Sequence, residues 1–231
     1  MRTAIVSAMH QELAAVLQLL PDEQKQPAGG RDYWVGHLHG QEVVAVLSRI
    51  GKVAAATTAT ALIERFEVDR VVFTGVAGGL ARGVSRGDVV VAESFLQHDL
   101  DASPIFPRYE VPLYATSRFA TDAALTGQLE AAVRTALHGT RLHRGLVVSG
   151  DRFVSSAAES QALQAALPDA LAVEMEGAAF AQVCHDYGVP FAAVRTVSDR
   201  ADDEAHGDFL SFIDEVASRH SAAIVEAFLR A

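Results

Sequence analysis

Short, continuous apolar runs alternate along this chain with longer segments of helical spacing, and this alternation limits the folds open to it. The runs extend over Arg2 to Ser7, Glu42 to Leu47, Arg70 to Thr74, Asp88 to Ala92, Leu146 to Ser149, Leu171 to Met175 and Phe191 to Val197. Runs of this length without polar alternation are typical of strands covered on both faces. Because strands that alternate with helices predict βαβ units, we expect a three-layer α/β/α fold with a central mixed, mostly parallel sheet.

Three segments between or after the runs predict helices. Val53 to Phe66 is rich in alanine and threonine, and Asp122 to Leu137 places its apolar residues on one face, with Gly139 as a C-terminal cap. We expect the last helix to begin near Asp208. Its apolar stripe consists of Phe209, Phe212, Val216, Ile224 and Phe228.

No linker rich in proline, glycine or serine divides the chain, so we expect one domain over residues 1–231. The stretch from Gln97 to Ala120 interrupts the alternation with several prolines and aromatic residues and no glycine. A connection of this length in a compact domain is usually functional. We expect it to serve as a lid or as a contact between subunits.

Charge and cysteine content exclude several classes of protein. With 19 Lys+Arg against 29 Asp+Glu, the net charge is −10, which disfavours contact with nucleic acid phosphates and favours a small neutral or cationic ligand. The single cysteine, Cys184, allows neither an intramolecular disulfide nor a thiolate cluster for zinc, and predicts a reducing cytoplasm. Met1 to Val6 predicts a strand rather than a signal peptide, and no apolar run approaches the roughly 20 residues that span a bilayer.

Polar residues at the carboxyl ends of the runs are the first candidates for a site, because ligands of open α/β sheets bind there. Such residues follow five runs, in the segments Ser7 to Glu12, Thr74 to Gly79, Ser149 to Phe153, Val173 to Gly177 and Arg195 to Asp199.

Glycines 75, 78 and 79 allow two interpretations. Their amides could form a nest for an oxygen ligand, or the cluster could be a tight turn from strand to helix. The segment lacks the lysine of a P-loop and the spacing of a dinucleotide fingerprint.

Glu174 and Glu176 flank Met175 in an otherwise apolar segment, where an unpaired acid is costly. A carboxylate that accepts two hydrogen bonds matches the paired hydroxyls of a sugar, and Met175 offers an apolar surface beneath it. The alternatives are a buried ion pair and an acid at a helix N-terminus.

Arg195, Ser198 and Asp199 end an apolar strand, where Asp199 is either catalytic or the cap of a following helix. Glu12 alone is an ordinary residue for the first turn of a helix. Since His37 and His39 have no carboxylate at ligand spacing, we expect a solvated edge strand there, and neither a metal nor a cofactor.

The order and spacing of seven segments are specific. They are Ile5 to Met9 with Glu12, Ile50 to Ala55, Thr74 to Leu80, Gly87 to Val90, Val148 to Phe153, Val173 to Glu176 and Val197 to Asp199. Over nearly the whole chain they resemble the 5'-methylthioadenosine/S-adenosylhomocysteine nucleosidases, within the purine nucleoside phosphorylase and hydrolase family. The resemblance implies a hydrolase that cleaves the bond between ribose C1' and adenine N9, and a homodimer whose 97–120 loop completes the neighbouring site.

The resemblance also implies roles for the site residues. Asp199, helped by Ser198, would protonate purine N7, and Glu12 would position and deprotonate water with Arg195 nearby. Glu176 would hold the ribose hydroxyls. The other implied substrate contacts are Ile50, Val76, Ala77, Gly78, Phe153, Val154, Glu174 and Met175.

Two carboxyl groups on opposite sides of C1' suit an oxocarbenium-like transition state, and Glu12 would repel phosphate, so water is the expected nucleophile. Val76 stands where a serine is common in the family, and the segment Asp99 to Pro107 departs from the family pattern. These departures leave aminodeoxyfutalosine open as a substrate. A purine nucleoside phosphorylase and a nucleoside sensor without turnover are the further alternatives.

Overall fold

The computed structural model describes residues 1–202, 205, 209, 212 and 216–230, and these residues form strands and helices in alternation. The strands are β1 (Arg2–Ser7), β2 (Gln24–Ala28), β3 (Arg31–Leu38), β4 (Gln41–Leu47), β5 (Arg70–Gly79), β6 (Val89–Gln97), β7 (Phe119–Ala120), β8 (Leu142–Ser149), β9 (Ala170–Glu174) and β10 (Phe191–Asp199). The helices are α1 (His10–Leu17), α2 (Lys52–Glu64), α3 (Ala123–Ala136), α4 (Ala157–Ala166), α5 (Gly177–Tyr187) and α6 (Ser218–Arg230).

The strands join in one mixed sheet with the order β10-β6-β8-β9-β5-β1-β4-β3-β2, and β7 pairs with β6. Parallel pairing connects β4, β1, β5 and β10, and it also connects β6, β8 and β9. The sheet is not open throughout, because β10 also pairs with β5. Strands β10, β6, β8, β9 and β5 therefore close into a ring.

Helices cover both faces of the sheet, which confirms the three α/β/α layers. On one face, Leu62 of α2 and Phe180 of α5 pack with Phe73 of β5. On the other face, Val16 of α1, Leu129 of α3 and Phe228 of α6 form a second buried cluster. Alternate residues of β5 supply both clusters, as expected for a strand covered on both sides.

The ends of two helices agree with the capping residues and the apolar spacing in the sequence. Helix α3 begins after Asp122, whose side chain accepts the Leu125 N–H at 2.8 Å, and Gly139 lies beyond its end at φ +81°. Helix α2 begins at Lys52, one residue before the prediction. The predicted start of the last helix, Asp208, lies outside the described residues.

The expected turn at glycines 75, 78 and 79 is wrong, because β5 continues through Gly79. Gly78 and Gly79 pair with Val173 and Ala172 of β9 in the closed ring. Because extended backbone points successive amides in opposite directions, the alternative of an oxygen-binding nest is wrong as well.

The solvated edge strand expected at His37 and His39 is confirmed at His37 and wrong at His39. At His37, β3 pairs with β4, while its pairing with β2 stops at Val35, and His39 lies in the following turn at φ +51°. The side chain of His37 is exposed and pairs with Asp22 at 2.8 Å. Strand β2 was missed because its sequence is polar and contains a proline, and only the His37 end of β3 was predicted.

The segment from Gln97 to Ala120 is anchored at both ends and exposed between them. Phe119 is buried and pairs with Phe95 of β6, and Val111 is buried beside a bridge to Thr116. Ile105 and Leu113, by contrast, are 82% and 91% exposed. Within the part of the chain that the structure describes, no helix is long and apolar enough to cross a membrane.

Candidate active site

A cavity of about 350 Å³ lies where β5, β9 and β10 end. Its walls are formed by Ala8, Met9, Ile50, Val76, Ala77, Gly78, Phe153, Val173, Glu174, Met175, Glu176, Ser198, Asp199 and Phe209. A smaller chamber of about 30 Å³ adjoins it and adds Val154 and Arg152. The structure therefore brings together residues from all five segments that the sequence placed at strand ends.

Asp199 and Ser198 form the acid side of the cavity at the end of β10. Both side chains are buried, and the Ser198 hydroxyl donates to Asp199 Oδ2 at 2.7 Å. The Ala201 N–H donates to Asp199 Oδ1 at 2.7 Å, so Asp199 caps a turn as well as facing the cavity. Gly78 gives it room, because a Cβ there would lie 2.9 Å from Asp199 Oδ1.

Glu12 lies in the first turn of α1 and is fully buried. The Met9 N–H donates to its Oε2 at 3.2 Å, whereas Oε1 has no hydrogen-bond partner among the described residues. Burial raises the pKa of Glu12 to about 7, against the opposing effect of Arg195. A carboxyl group with this pKa is suited to accept a proton near neutral pH.

Arg195 lies below the cavity and connects β10 to β9. It is 1% exposed, and it donates to Glu174 Oε2 at 2.9 Å and to the Phe73 carbonyl at 3.1 Å. The Ser149 hydroxyl donates to Glu174 Oε1, and the Gly177 N–H donates to Oε2 at 2.8 Å. Glu174 is therefore the ion-paired acid at a helix N-terminus that the sequence allowed, although it also lines the cavity.

Glu176 lies at the N-cap of α5, and its backbone N–H donates to Glu174 Oε2 at 3.2 Å. Its Oε1 accepts the Gly51 N–H at 2.8 Å across 125 residues of sequence. Burial, followed by the charge of Glu174, raises the pKa of Glu176 above its ordinary value. A buried carboxylate that faces a cavity can accept hydrogen bonds from hydroxyl groups of a ligand.

The remaining walls are apolar and aromatic. Phe153 is 38% exposed at the cavity mouth, and its ring centroid lies 5.6 Å from that of Phe209. The sequence assigned Phe209 to the core stripe of the last helix, so its place in the cavity was missed. Ala8, Met9 and Val173 were missed as wall residues because nothing in their side chains indicates chemistry.

The wall is suited to a ligand with a flat apolar part and a polar part. Apolar side chains cover one region, and the carboxyl groups of Asp199 and Glu176 face the cavity elsewhere. Among the described residues, no group of His, Cys, Asp and Glu is arranged to hold a metal ion. The groups that these residues supply are general acids, general bases and hydrogen-bond acceptors.

Comparison with known proteins places this geometry in a family. The model of the phosphorylase superfamily matches residues 2–230. A 5'-methylthioadenosine/S-adenosylhomocysteine nucleosidase of Shewanella denitrificans is 38% identical over 231 residues, which cover 99% of this chain and 99% of that protein.

Solved structures agree with the sequence relatives. The Neisseria meningitidis nucleosidase of the same name, in complex with methylthio-immucillin-A, matches with a TM-score of 0.94 and 36% identity over 99% of this chain and 98% of that one. A futalosine hydrolase of Helicobacter pylori matches with a TM-score of 0.91 and 34% identity over 98% of this chain and 96% of that one. By sequence, fold and full-length coverage, the chain belongs to the 5'-methylthioadenosine/S-adenosylhomocysteine nucleosidases, N-glycoside hydrolases of the phosphorylase superfamily.

Proposed function

We propose that the protein hydrolyses the N-glycosidic bond of 5'-methylthioadenosine and S-adenosylhomocysteine, releasing adenine and the 5'-substituted ribose. The observation that carries this proposal is the conjunction of buried Asp199 at the cavity with buried Glu12, whose pKa is about 7. Cleavage through an oxocarbenium-like state needs protonation of the leaving group and activation of water, and two carboxyl groups can divide these tasks.

The proton transfers follow from these two groups. Asp199 gives its proton to purine N7, the electrons of the C1'–N9 bond move into the purine, and adenine leaves neutral. The Ser198 hydroxyl, 2.7 Å from Asp199 Oδ2, orients the acid and stabilises the carboxylate that remains. Glu12 takes a proton from water, and the hydroxide adds to C1'. Arg195 favours the charged form of Glu12 before that transfer.

The other walls hold the nucleoside. Glu176 accepts hydrogen bonds from the ribose 2' and 3' hydroxyls, and Met175 lies beneath the sugar. Phe153 stacks on the purine, while the backbone of Val154 contacts its edge from the small chamber. Ile50, Val76, Ala77 and Gly78 complete the walls. Glu174 lines the cavity too, but its hydrogen bonds indicate that it chiefly orients Arg195 and the start of α5.

Water is favoured over phosphate as the nucleophile. A phosphate site needs cationic or amide donors around the anion. In the described wall of the larger cavity the charged side chains are carboxylates. The two nearby arginines are paired with acids, Arg152 of the small chamber with Glu159 and Arg195 with Glu174. Adenine release from 5'-methylthioadenosine, followed with and without phosphate, tests this point. Release that requires phosphate would show a phosphorylase, and binding without release over long incubation would show a sensor.

Aminodeoxyfutalosine is the second candidate substrate. The futalosine hydrolase of H. pylori shares the fold at a TM-score of 0.91, so this scaffold accommodates a different 5' substituent. Val76 lines the cavity where the nucleosidases commonly have serine. Comparison of kcat/KM for 5'-methylthioadenosine, S-adenosylhomocysteine and aminodeoxyfutalosine shows which of these nucleosides the protein prefers. A higher value for aminodeoxyfutalosine would reassign the main substrate.

We also propose a homodimer in which the 97–120 loop of one subunit completes the site of the other. Ile105 and Leu113 in the loop are strongly exposed, and so is Val53 on α2 at 79%. Ile50, next to α2, is 56% exposed at the cavity. Exposed apolar side chains on the loop and on α2, with Ile50 at the cavity, favour a surface that a second copy of the chain covers. The predicted cytoplasmic location and the single domain over residues 1–231 stay predictions.

A further inference from the structure

Three charged side chains outside the cavity join the segments that carry the site. Lys52 Nζ lies 2.5 Å from Asp99 Oδ1 and 3.8 Å from Asp151 Oδ2, and it also donates to Gln97 Oε1 at 3.1 Å. The Asp151 N–H donates to Asp99 Oδ2 at 2.8 Å. We refer to Lys52, Asp99 and Asp151 as the charged cluster. It connects the start of α2, the end of β6 and the loop after β8.

The charged cluster fixes the backbone at Gly51. Asp151 Oδ1 accepts the Lys52 N–H at 2.7 Å, while the Gly51 N–H donates to Glu176 at 2.8 Å. Gly51 has φ +97°, which side chains disfavour, and a Cβ there would lie 3.1 Å from Asp151 Oδ1. Two adjacent amides are thus held between a carboxylate of the cluster and a carboxylate of the cavity.

Partial burial strengthens the attraction between the charges of the cluster. The side chain of Lys52 is only 16% exposed, and that of Asp99 is 30% exposed, so water screens their attraction less than at an open surface. Burial tends to raise the pKa of Asp99, but the hydrogen bonds from Lys52 and from the Asp151 N–H hold it below its ordinary value. Without the ammonium group, the carboxylates of Asp99 and Asp151 would lie close together with no cation between them.

We propose that Lys52 is a positioning residue, which holds the Glu176 carboxylate for the ribose hydroxyls through Asp151 and the Gly51 amide. This inference rests on the proposed function, since it requires Glu176 to bind ribose. The same cluster orients the loop that leads to Phe153, two residues after Asp151. Lys52 itself is not among the residues that line the cavity.

The test is Lys52→Met in the full-length protein, with KM and kcat measured separately for 5'-methylthioadenosine and its 2'-deoxy analogue. We expect KM for 5'-methylthioadenosine to rise about tenfold with kcat changed less than about threefold, because hydrogen bonds to a charged group weaken. The rise should be clearly smaller for the 2'-deoxy analogue, which lacks one hydroxyl. Lys52→Arg should restore most of the loss, because it keeps the charge.

Two further variants keep the test decisive. Asp99→Asn removes the closest anion from Lys52 and should shift KM in the same direction, even if Lys52→Met folds poorly by circular dichroism. Lys25→Met is the matched control, since Lys25 also pairs with an aspartate, Asp32, at 2.6 Å but lies on β2. It should leave KM and kcat unchanged.

The outcomes separate this inference from the proposed function. If Glu176→Ala raises KM while Lys52→Met and Asp99→Asn do not, the positioning role is overturned and the function stands. If Lys52→Met raises KM equally for both nucleosides, Lys52 does not act through Glu176. If Glu176→Ala leaves KM unchanged, the proposed binding of ribose is itself wrong.

Discussion

At the scale of single residues, the chemistry is divided between two carboxyl groups in different surroundings. Asp199 accepts hydrogen bonds from Ser198 and from the Ala201 backbone, whereas Glu12 is buried with one oxygen unpartnered among the described residues. The two groups also belong to different elements, Asp199 to the end of β10 and Glu12 to the first turn of α1, so each can take one of the two proton transfers.

Asp199→Asn removes the proton donor while keeping the shape of the side chain. We expect kcat on 5'-methylthioadenosine to fall by roughly a hundredfold or more, because general acid catalysis contributes a factor of this order. Steady-state assays of adenine release measure the effect. Near-native turnover in a variant with an intact thermal transition would show that another group protonates the purine.

The pH dependence of kcat/KM should reflect the protonation of Glu12. Its pKa is raised to about 7, and the proposed base acts in its deprotonated form. As the pH falls through 7, protonation of Glu12 therefore removes the active form, and kcat/KM should decrease toward tenfold per pH unit. A profile of log kcat/KM between pH 5 and 9 tests this, with Lys25→Met as a control of unchanged profile. A flat acid limb would be incompatible with Glu12 as the base.

At the scale of elements, the ion pair between Arg195 and Glu174 ties β10 to β9 inside the ring. Glu174→Ala would leave the guanidinium of Arg195 buried without its partner. We expect the free energy of unfolding to decrease by about 3–5 kcal/mol in urea titrations. Asp169→Ala, which breaks the exposed pair with Arg118, is the comparison and should cost at most about 1 kcal/mol. If both variants lost the same free energy of unfolding, the buried pair would stabilise the fold no more than the exposed pair does.

The elements also show which parts of the fold a sequence can predict. Helix α3 was predicted almost to the residue because Asp122 and the apolar spacing are local signals. The extension of β5 through Gly78 and Gly79 was not, since glycine disfavours strands and pairing with the distant strands β9 and β10 holds it there. The closed ring likewise depends on contacts between strands that are distant in sequence.

The site was predicted in part for the same reason. Asp199 and Glu176 were predicted for the site because acids at the ends of apolar runs are unusual, and Met175 as the apolar surface between two acids; all three line the cavity. The role of Phe209 in the wall and the charged cluster around Lys52 escaped notice, because a phenylalanine in a helical pattern and a lysine at a helix start are ordinary. Their importance comes only from neighbours that folding brings together.

At the scale of the whole molecule, the proposed dimer predicts that sites can be restored between subunits. One chain would carry Asp199→Asn, and the other would carry Ile105→Ala with Leu113→Ala. In a mixed dimer, the second chain has an intact acid and receives an intact loop from its partner. Mixing and re-equilibrating the two variants should therefore restore activity above the sum of the separate samples.

Absence of any restoration, in a mixture shown by mass spectrometry to contain mixed dimers, would contradict completion of the site by the neighbouring loop. A monomer in sedimentation experiments across the assay concentrations would contradict the dimer itself. Each chain alone serves as the control for residual activity.

The contact between Gly51 and Glu176 crosses 125 residues of sequence, and Glu12 and Asp199 lie still further apart. A fragment that begins after Glu12 or ends before Asp199 therefore lacks one of the proposed catalytic groups, and local unfolding of β5, β9 or β10 around the cavity should abolish turnover. Catalysis thus becomes a reporter of the native population: residual activity and circular dichroism should trace one common curve against urea. Under denaturing stress, this protein should lose function in the same cooperative step in which it loses its sheet.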